Sequence, residues 1–339
     1  MKHELKSSFF GALAVCLGLS VAIANAQKPY HLETKWSVAG DGGWDYLTVD
    51  SAAHKLYIAH ATEVNVLDLN TGRALGTIGG LKRCHGIVIA PDGKTGFISD
   101  GDSNEVVVFD VATMAAVAKI QTGGNPDGMA YDPATGTLWV FNGGSSNATV
   151  INVAQRKAVA TVALPGRPEF PAADGTGTIF VNLEDKNAIA RLDAKAQRVT
   201  ATWPLAGCEA PSGLAYDKAG SRLFSVCDGK KMAVTDAKTG KSLATTTIGD
   251  GPDAAGYDAK HKLAFSSNGE GTLTVVDAGK AGYPVLQTLP TAKGARTMAF
   301  DEATGKIYLA TARAGKLAPG AKRAAPLPGS FTVLVLARE

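Results

Sequence analysis

Apolar residues recur along the chain in short runs separated by polar turns, with no sustained helical period. Seven aspartates each close one such run: Asp50, Asp92, Asp132, Asp174, Asp217, Asp258 and Asp301, at intervals of 42, 40, 42, 43, 41 and 43 residues. Each is followed by a polar turn, such as Asp132-Pro133-Ala134-Thr135-Gly136. A second apolar run comes next, among them Leu56-Tyr57-Ile58-Ala59, Leu138-Trp139-Val140-Phe141 and Ile307-Tyr308-Leu309-Ala310. A third run, rich in β-branched residues, ends on Asp68, Asp110, Asn152, Asp193, Asp236 or Asp277, 18 to 20 residues after the first marker. A fourth, such as Ala74-Leu75-Gly76-Thr77-Ile78, completes the copy. Short β-branched runs between Asp, Asn and Gly read as strands. The marker carboxylates suit Asx turns, where they accept backbone N–H bonds.

Four strands in a unit repeated seven times is the spacing of a propeller blade. A lone four-stranded sheet exposes both faces, and radial packing covers them. The seventh copy is short: after 307–311 and an insertion at 312–329, Ser330-Phe331-Thr332-Val333-Leu334-Val335-Leu336 supplies a third strand before the chain ends at Glu339. The missing strand is available at 30–38. The pattern therefore predicts an all-β, seven-bladed β-propeller of four-stranded blades. The N-terminal strand pairs with the C-terminal blade to close the ring, in one domain spanning 27–339. Residues 1–26 read as a cleaved signal peptide, with Lys2 and Lys6 before an apolar stretch at 9–23 and Ala24-Asn25-Ala26 as the cleavage site. That predicts export, to the periplasm by the style of the signal.

Tyr57-Ile58-Ala59-His60 and Tyr308-Leu309-Ala310-Thr311 sit in a frame of Pro-x-Gly, Asp-x-x-x-Gly and Val-x-Val-x-Asp. With the closing stretch 327–335, this resembles the YVTN-repeat β-propellers, in particular YncE-like secreted proteins, over about residues 30–339. The literal Tyr-Val-Thr-Asn tetrad is absent. The resemblance implies a seven-bladed fold and export; it implies no single activity, because function resides in sites grafted onto folds.

Five residues before the marker aspartate, and seven before it in the second copy, stand Asp45, His85, Asp127, Glu169, Ser212, Asp253 and Arg296. This position opens the innermost strand, so a ring fold brings the seven together at the channel mouth. The next position is often small: Gly86, Gly128, Gly213, Ala254. Four carboxylates with one histidine and one arginine suit a cation or a small polar ligand. The loop after each second strand opens on the same face and carries His60 and Asp100. His60, His85, Asp45 and Asp100, with Asp127 as an alternative carboxylate, are candidate N/O ligands for a divalent metal ion. Cys208 precedes the first strand of blade five and Cys227 ends the second, so antiparallel pairing predicts a disulfide. Cys84 is left over beside His85. The insertion 312–329 carries Arg313, Lys316, Lys322 and Arg323 and reads as a lid or a docking loop for an anionic partner.

A net charge of +3 with 7% aromatic residues argues against nucleic acid as a partner. There is no CxxCH, GxSxG, P-loop or Rossmann fingerprint. The leading expectation is a non-catalytic propeller binding a small ligand, a metal ion or a protein at its mouth. The rivals are a metal-assisted lactonase or hydrolase, and an accessory to a periplasmic redox or quinone system.

Overall fold

The computed structural model describes residue 1, 28–317 and 324–339. The signal-peptide reading, apart from Met1, and the insertion's Lys322 and Arg323 lie outside the described residues. Twenty-eight strands form seven four-stranded antiparallel sheets. Blade one comprises Trp44–Asp50, Lys55–His60, Glu63–Asp68 and Ala74–Ile78. The first strands of all seven blades touch in succession and form a closed ring. They are Trp44–Asp50, Cys84–Ile89, Pro126–Asp132, Pro168–Ala173, Leu214–Asp217, Pro252–Asp258 and Thr297–Phe300.

Local chemistry explains the turns. All seven first markers accept a backbone N–H within their own hairpin, as Asp132 does from Thr135 at 3.0 Å and Asp217 from Gly220 at 2.9 Å. The second markers do the same; Asp68 takes Thr71 N–H and Asp110 takes Thr113 N–H. These bonds fix where each strand ends. The second and third strands are apolar on both faces, because both faces are covered. The fourth strands are half exposed.

The cores lie between blades. Tyr57, Val64 and Val66 of blade one pack with Ile98, Val107 and Phe109 of blade two. Seven such clusters exist, one at each junction. Each buried Leu, Ile or Phe contributes roughly 1.5–3 kcal/mol. The last junction is closed by Tyr30–Ser37, which lies antiparallel to Thr332–Arg338 with Tyr30 opposite Arg338 and Ser37 opposite Thr332. At the base of the insertion, Gly315 donates to the Ala325 carbonyl and Leu327 to that of Arg313, both at 2.8 Å.

Cys208 and Cys227 form a disulfide with a Cα separation of 5.4 Å, and both are buried. It ties the approach to the first strand of blade five to the end of its second. Closing a loop of 19 residues stabilises a fold by about 3 kcal/mol. Cys208→Ala should lower the free energy of unfolding by about that amount, measured by urea titration under non-reducing conditions; an unchanged midpoint would show that the bridge adds nothing.

Candidate functional site

The seven inner strands start in phase, so equivalent residues meet at one end of the channel. In five blades the pairing register shifts beside this position: Trp44/Leu47, Cys84/Ile87, Pro126/Met129, Pro168/Pro171 and Pro252/Ala254. A bulge re-aims side chains, and here it serves Asp45, His85, Asp127, Glu169 and Asp253. The backbone is also tied from the neighbouring blade. Ser99 Oγ donates to the Asp127 carbonyl at 2.6 Å, Asn182 Nδ2 to that of Ser212 at 2.8 Å, and Ser267 Oγ to that of Arg296. These three hold the same place on their second strands.

The ring divides into two arcs. On one, His85 Nδ1 lies 2.5 Å from Asp45 Oδ2 and 3.8 Å from Asp127 Oδ1. One ligand atom from each of the three falls within 4.8 Å of the others. On the other arc, Arg296 Nη1 pairs with Asp253 Oδ2 at 2.8 Å. Ser212 Oγ donates to Asp253 Oδ1 at 3.1 Å and to its carbonyl at 2.9 Å. The arginine thus neutralises Asp253, and negative charge accumulates around His85.

The charges feel this crowding. Burial, then the Asp45 charge, pushes the Asp127 carboxyl up to about 7. Burial, then the Asp127 charge, pushes Glu169 up to about 9. Burial would lower His85, but its bond to Asp45 and the charges of Asp127 and Asp45 outweigh it and raise the imidazole. Excess negative charge without a counter-ion is what a cation would relieve.

Beneath the carboxylates the channel is plugged. Tyr46 of blade one stacks on Phe170 of blade four, ring centroids 4.8 Å apart. They meet across the axis because the equivalent residues are small. A Cβ on Gly128 would stand 2.8 Å from the Tyr46 hydroxyl. Sequence reading noted the small residues and passed over the two large ones; their exception to the pattern was the available signal. A cavity of ≈ 20 Å³ remains, lined in part by Asp45, Tyr46, Glu169, Ser212 and Asp253. That is room for about one water or a bare ion.

The other candidates lie apart from this cluster. Asp100 Oδ1 accepts the backbone N–H groups of Lys82 at 3.0 Å and Arg83 at 2.7 Å, so it caps a loop. His60 stacks on Phe331 at 4.0 Å and bonds Asn65 Oδ1 through Nδ1 at 2.8 Å. The fourfold set of His60, His85, Asp45 and Asp100 is thus not one cluster; Asp127 is the third donor beside Asp45 and His85. Cys84 donates to the Glu63 carbonyl at 3.1 Å, and burial pushes its thiol up to about 12.

A carboxyl raised in the folded state keeps a proton that the unfolded chain releases, so stability falls as pH rises between the two values. For Glu169 that window runs from its ordinary value, near 4.5, to about 9. Glu169→Gln should therefore stabilise the metal-free protein at pH 8 by roughly 1 kcal/mol or more, with the gain vanishing near pH 4.5. Thermal unfolding at the two pH values checks this; an equal effect at both would remove the electrostatic cause.

No protein-family model matches the chain, and a search of curated proteins finds no relative. Solved structures do resemble it. A chain of Kuenenia stuttgartiensis hydrazine synthase is 17% identical with a TM-score of 0.71, over 80% of this chain and 94% of that one. U3-55K is 12% identical with a TM-score of 0.75, over 90% of this chain and 98% of that one. At these identities the likeness is one of fold.

Proposed function

We propose that the chain is an exported propeller, akin to the YVTN-repeat, YncE-like proteins in its repeat pattern, that binds one divalent cation at its channel mouth. Asp45, His85 and Asp127 hold the ion, and the protein acts by binding rather than catalysis. One observation carries this reading: three neighbouring inner strands bring an imidazole nitrogen and two carboxylate oxygens within 4.8 Å of one another. Mixed N/O donors suit first-row divalent ions such as zinc or manganese. The raised carboxyls support the reading, since a cation offsets their repulsion. The small cavity beside Asp45 leaves no room for an organic molecule inside the channel; any larger ligand meets the ion from above the mouth. Export is supported by the apolar stretch at 9–23, the Ala24-Asn25-Ala26 site and the Cys208–Cys227 disulfide.

Elemental analysis of protein purified without a metal-affinity step, followed by calorimetric titration of the stripped protein, tests the reading. One ion per chain is expected. Asp45→Asn and Asp127→Asn should each weaken binding by about tenfold or more, and Asp100→Asn should leave it unchanged. Failure of zinc and manganese to bind would sink the proposal. Hydrolysis of a lactone panel by the metal-loaded protein would replace the binding role with a hydrolase.

Uptake is coupled to protons, because a ligand must be deprotonated to bind. With Asp127 raised to about 7 and the His85 imidazole raised as well, affinity should fall at least about tenfold per pH unit below pH 7. The same titration repeated at pH 6 and pH 8 checks the slope; a flat profile would mean that Asp127 is not a ligand.

A further inference from the structure

On the face opposite the mouth, side chains bridge neighbouring blades. At three junctions a long side chain from one blade crosses to the carbonyl that follows the second marker, in the third turn of the next blade. Lys55 Nζ donates to the Val111 carbonyl at 2.9 Å, Arg222 Nη1 to that of Ala278, and the Tyr308 hydroxyl to that of Leu69 at 3.4 Å. Large apolar side chains fill the same grooves. Trp36 lies against Gly72 and Trp203 against Gly240, where an added Cβ would strike either indole. Tyr283 packs on Phe224, and Met114 on Gly76.

Between blades two and three these fillers are missing. Thr95 stands where Lys55 and Arg222 stand, as Thr137 and Thr178 do in the next two blades, and it is too short to reach the Val153 turn. The turn position of Gly72, Met114 and Gly240 is held by Arg156, which is exposed with φ 52°. The result is a cleft of ≈ 310 Å³ between Pro91, Tyr131, Val153, Ala154 and Arg156. Small-molecule sites begin at about this size. Among the described residues the Arg156 guanidinium makes one hydrogen bond, to Thr95 Oγ1 at 3.5 Å.

We propose that this cleft binds a small aromatic monocarboxylate, its carboxylate on Arg156 and its ring between Tyr131 and Pro91. A planar guanidinium matches a carboxylate through two parallel N–H bonds. Asp92 lies on the same wall, held by the N–H groups of Lys94 at 2.8 Å and Thr95 at 3.0 Å. Those bonds keep it ionised, with its carboxyl below the ordinary range even against the effect of burial. Its charge repels a second negative charge, which disfavours phosphate groups.

Benzoate is the probe, titrated into the full chain by calorimetry or ligand-observed NMR, with benzyl alcohol and inorganic phosphate as controls. Saturable one-to-one binding of benzoate is expected, with both controls at least about tenfold weaker. Arg156→Gln, an exposed change that leaves the fold intact, should weaken benzoate by about tenfold or more. Thr95→Lys, which supplies the crossing side chain of blade one, should abolish binding; its thermal midpoint verifies that it folds. Absence of saturation, equal affinity in Arg156→Gln, or phosphate binding as well as benzoate would each overturn the proposal.

Discussion

A four-stranded blade has two apolar faces and can cover neither by itself. Everything else in this molecule follows from that requirement. The buried side chains belong to junctions: Ala130 and Trp139 of blade three are covered by Ile179 and Val181 of blade four. No blade owns a core, so the ring is stable only when closed. Closure falls to Tyr30–Ser37, whose Tyr30 and Trp36 reach opposite junctions of blade seven, one against Phe265 and the other against Tyr308. Strand pairing between 30–37 and 332–338 completes the seventh blade and leaves only the short outer edges of the blades.

Radial packing also builds the mouth. Equivalent residues of the inner strands must share one small circle, so carboxylates far apart in sequence become neighbours whether or not their charges agree. Asp127 and Glu169 carry the cost as raised carboxyls. The surrounding cores tolerate that cost, and the side chains that hold the ring in place come from the next blade round, as Ser99 does for Asp127. Arg296 relieves only its own partner, Asp253. The imbalance that remains spans Asp45, Asp127 and Glu169, and it makes that arc, with His85 within it, the place where a cation is most favoured.

Departures from the repeat make the chemistry. Small residues below the ring would leave an open pore; Tyr46 and Phe170 turn it into a blind pocket. Arg156, where two other blades carry a glycine, lines a cleft at a junction that no long side chain crosses.

The architecture was legible in the amino-acid order because its signals are local. Asp132 and Asp217 mark turns through bonds to residues three positions on, and such markers repeat at a readable interval. Cys208 and Cys227 flank one hairpin, so their pairing needed only strand direction. Asp45, Asp127, Glu169, Ser212, Asp253 and Arg296 share one phase against their markers; His85 stands two positions earlier, because the turn of blade two begins at Ala90, ahead of Asp92. Tertiary structure decided which of these residues touch, and which acids are already engaged. Asp100 looked as good a ligand as Asp127 until its carboxylate was found on the backbone of Lys82 and Arg83. The stacking of Tyr46 on Phe170 joins blades one and four across the axis, a separation that no local pattern encodes. The cleft beside Arg156 is a space between side chains, and space becomes visible only when every neighbour has its position.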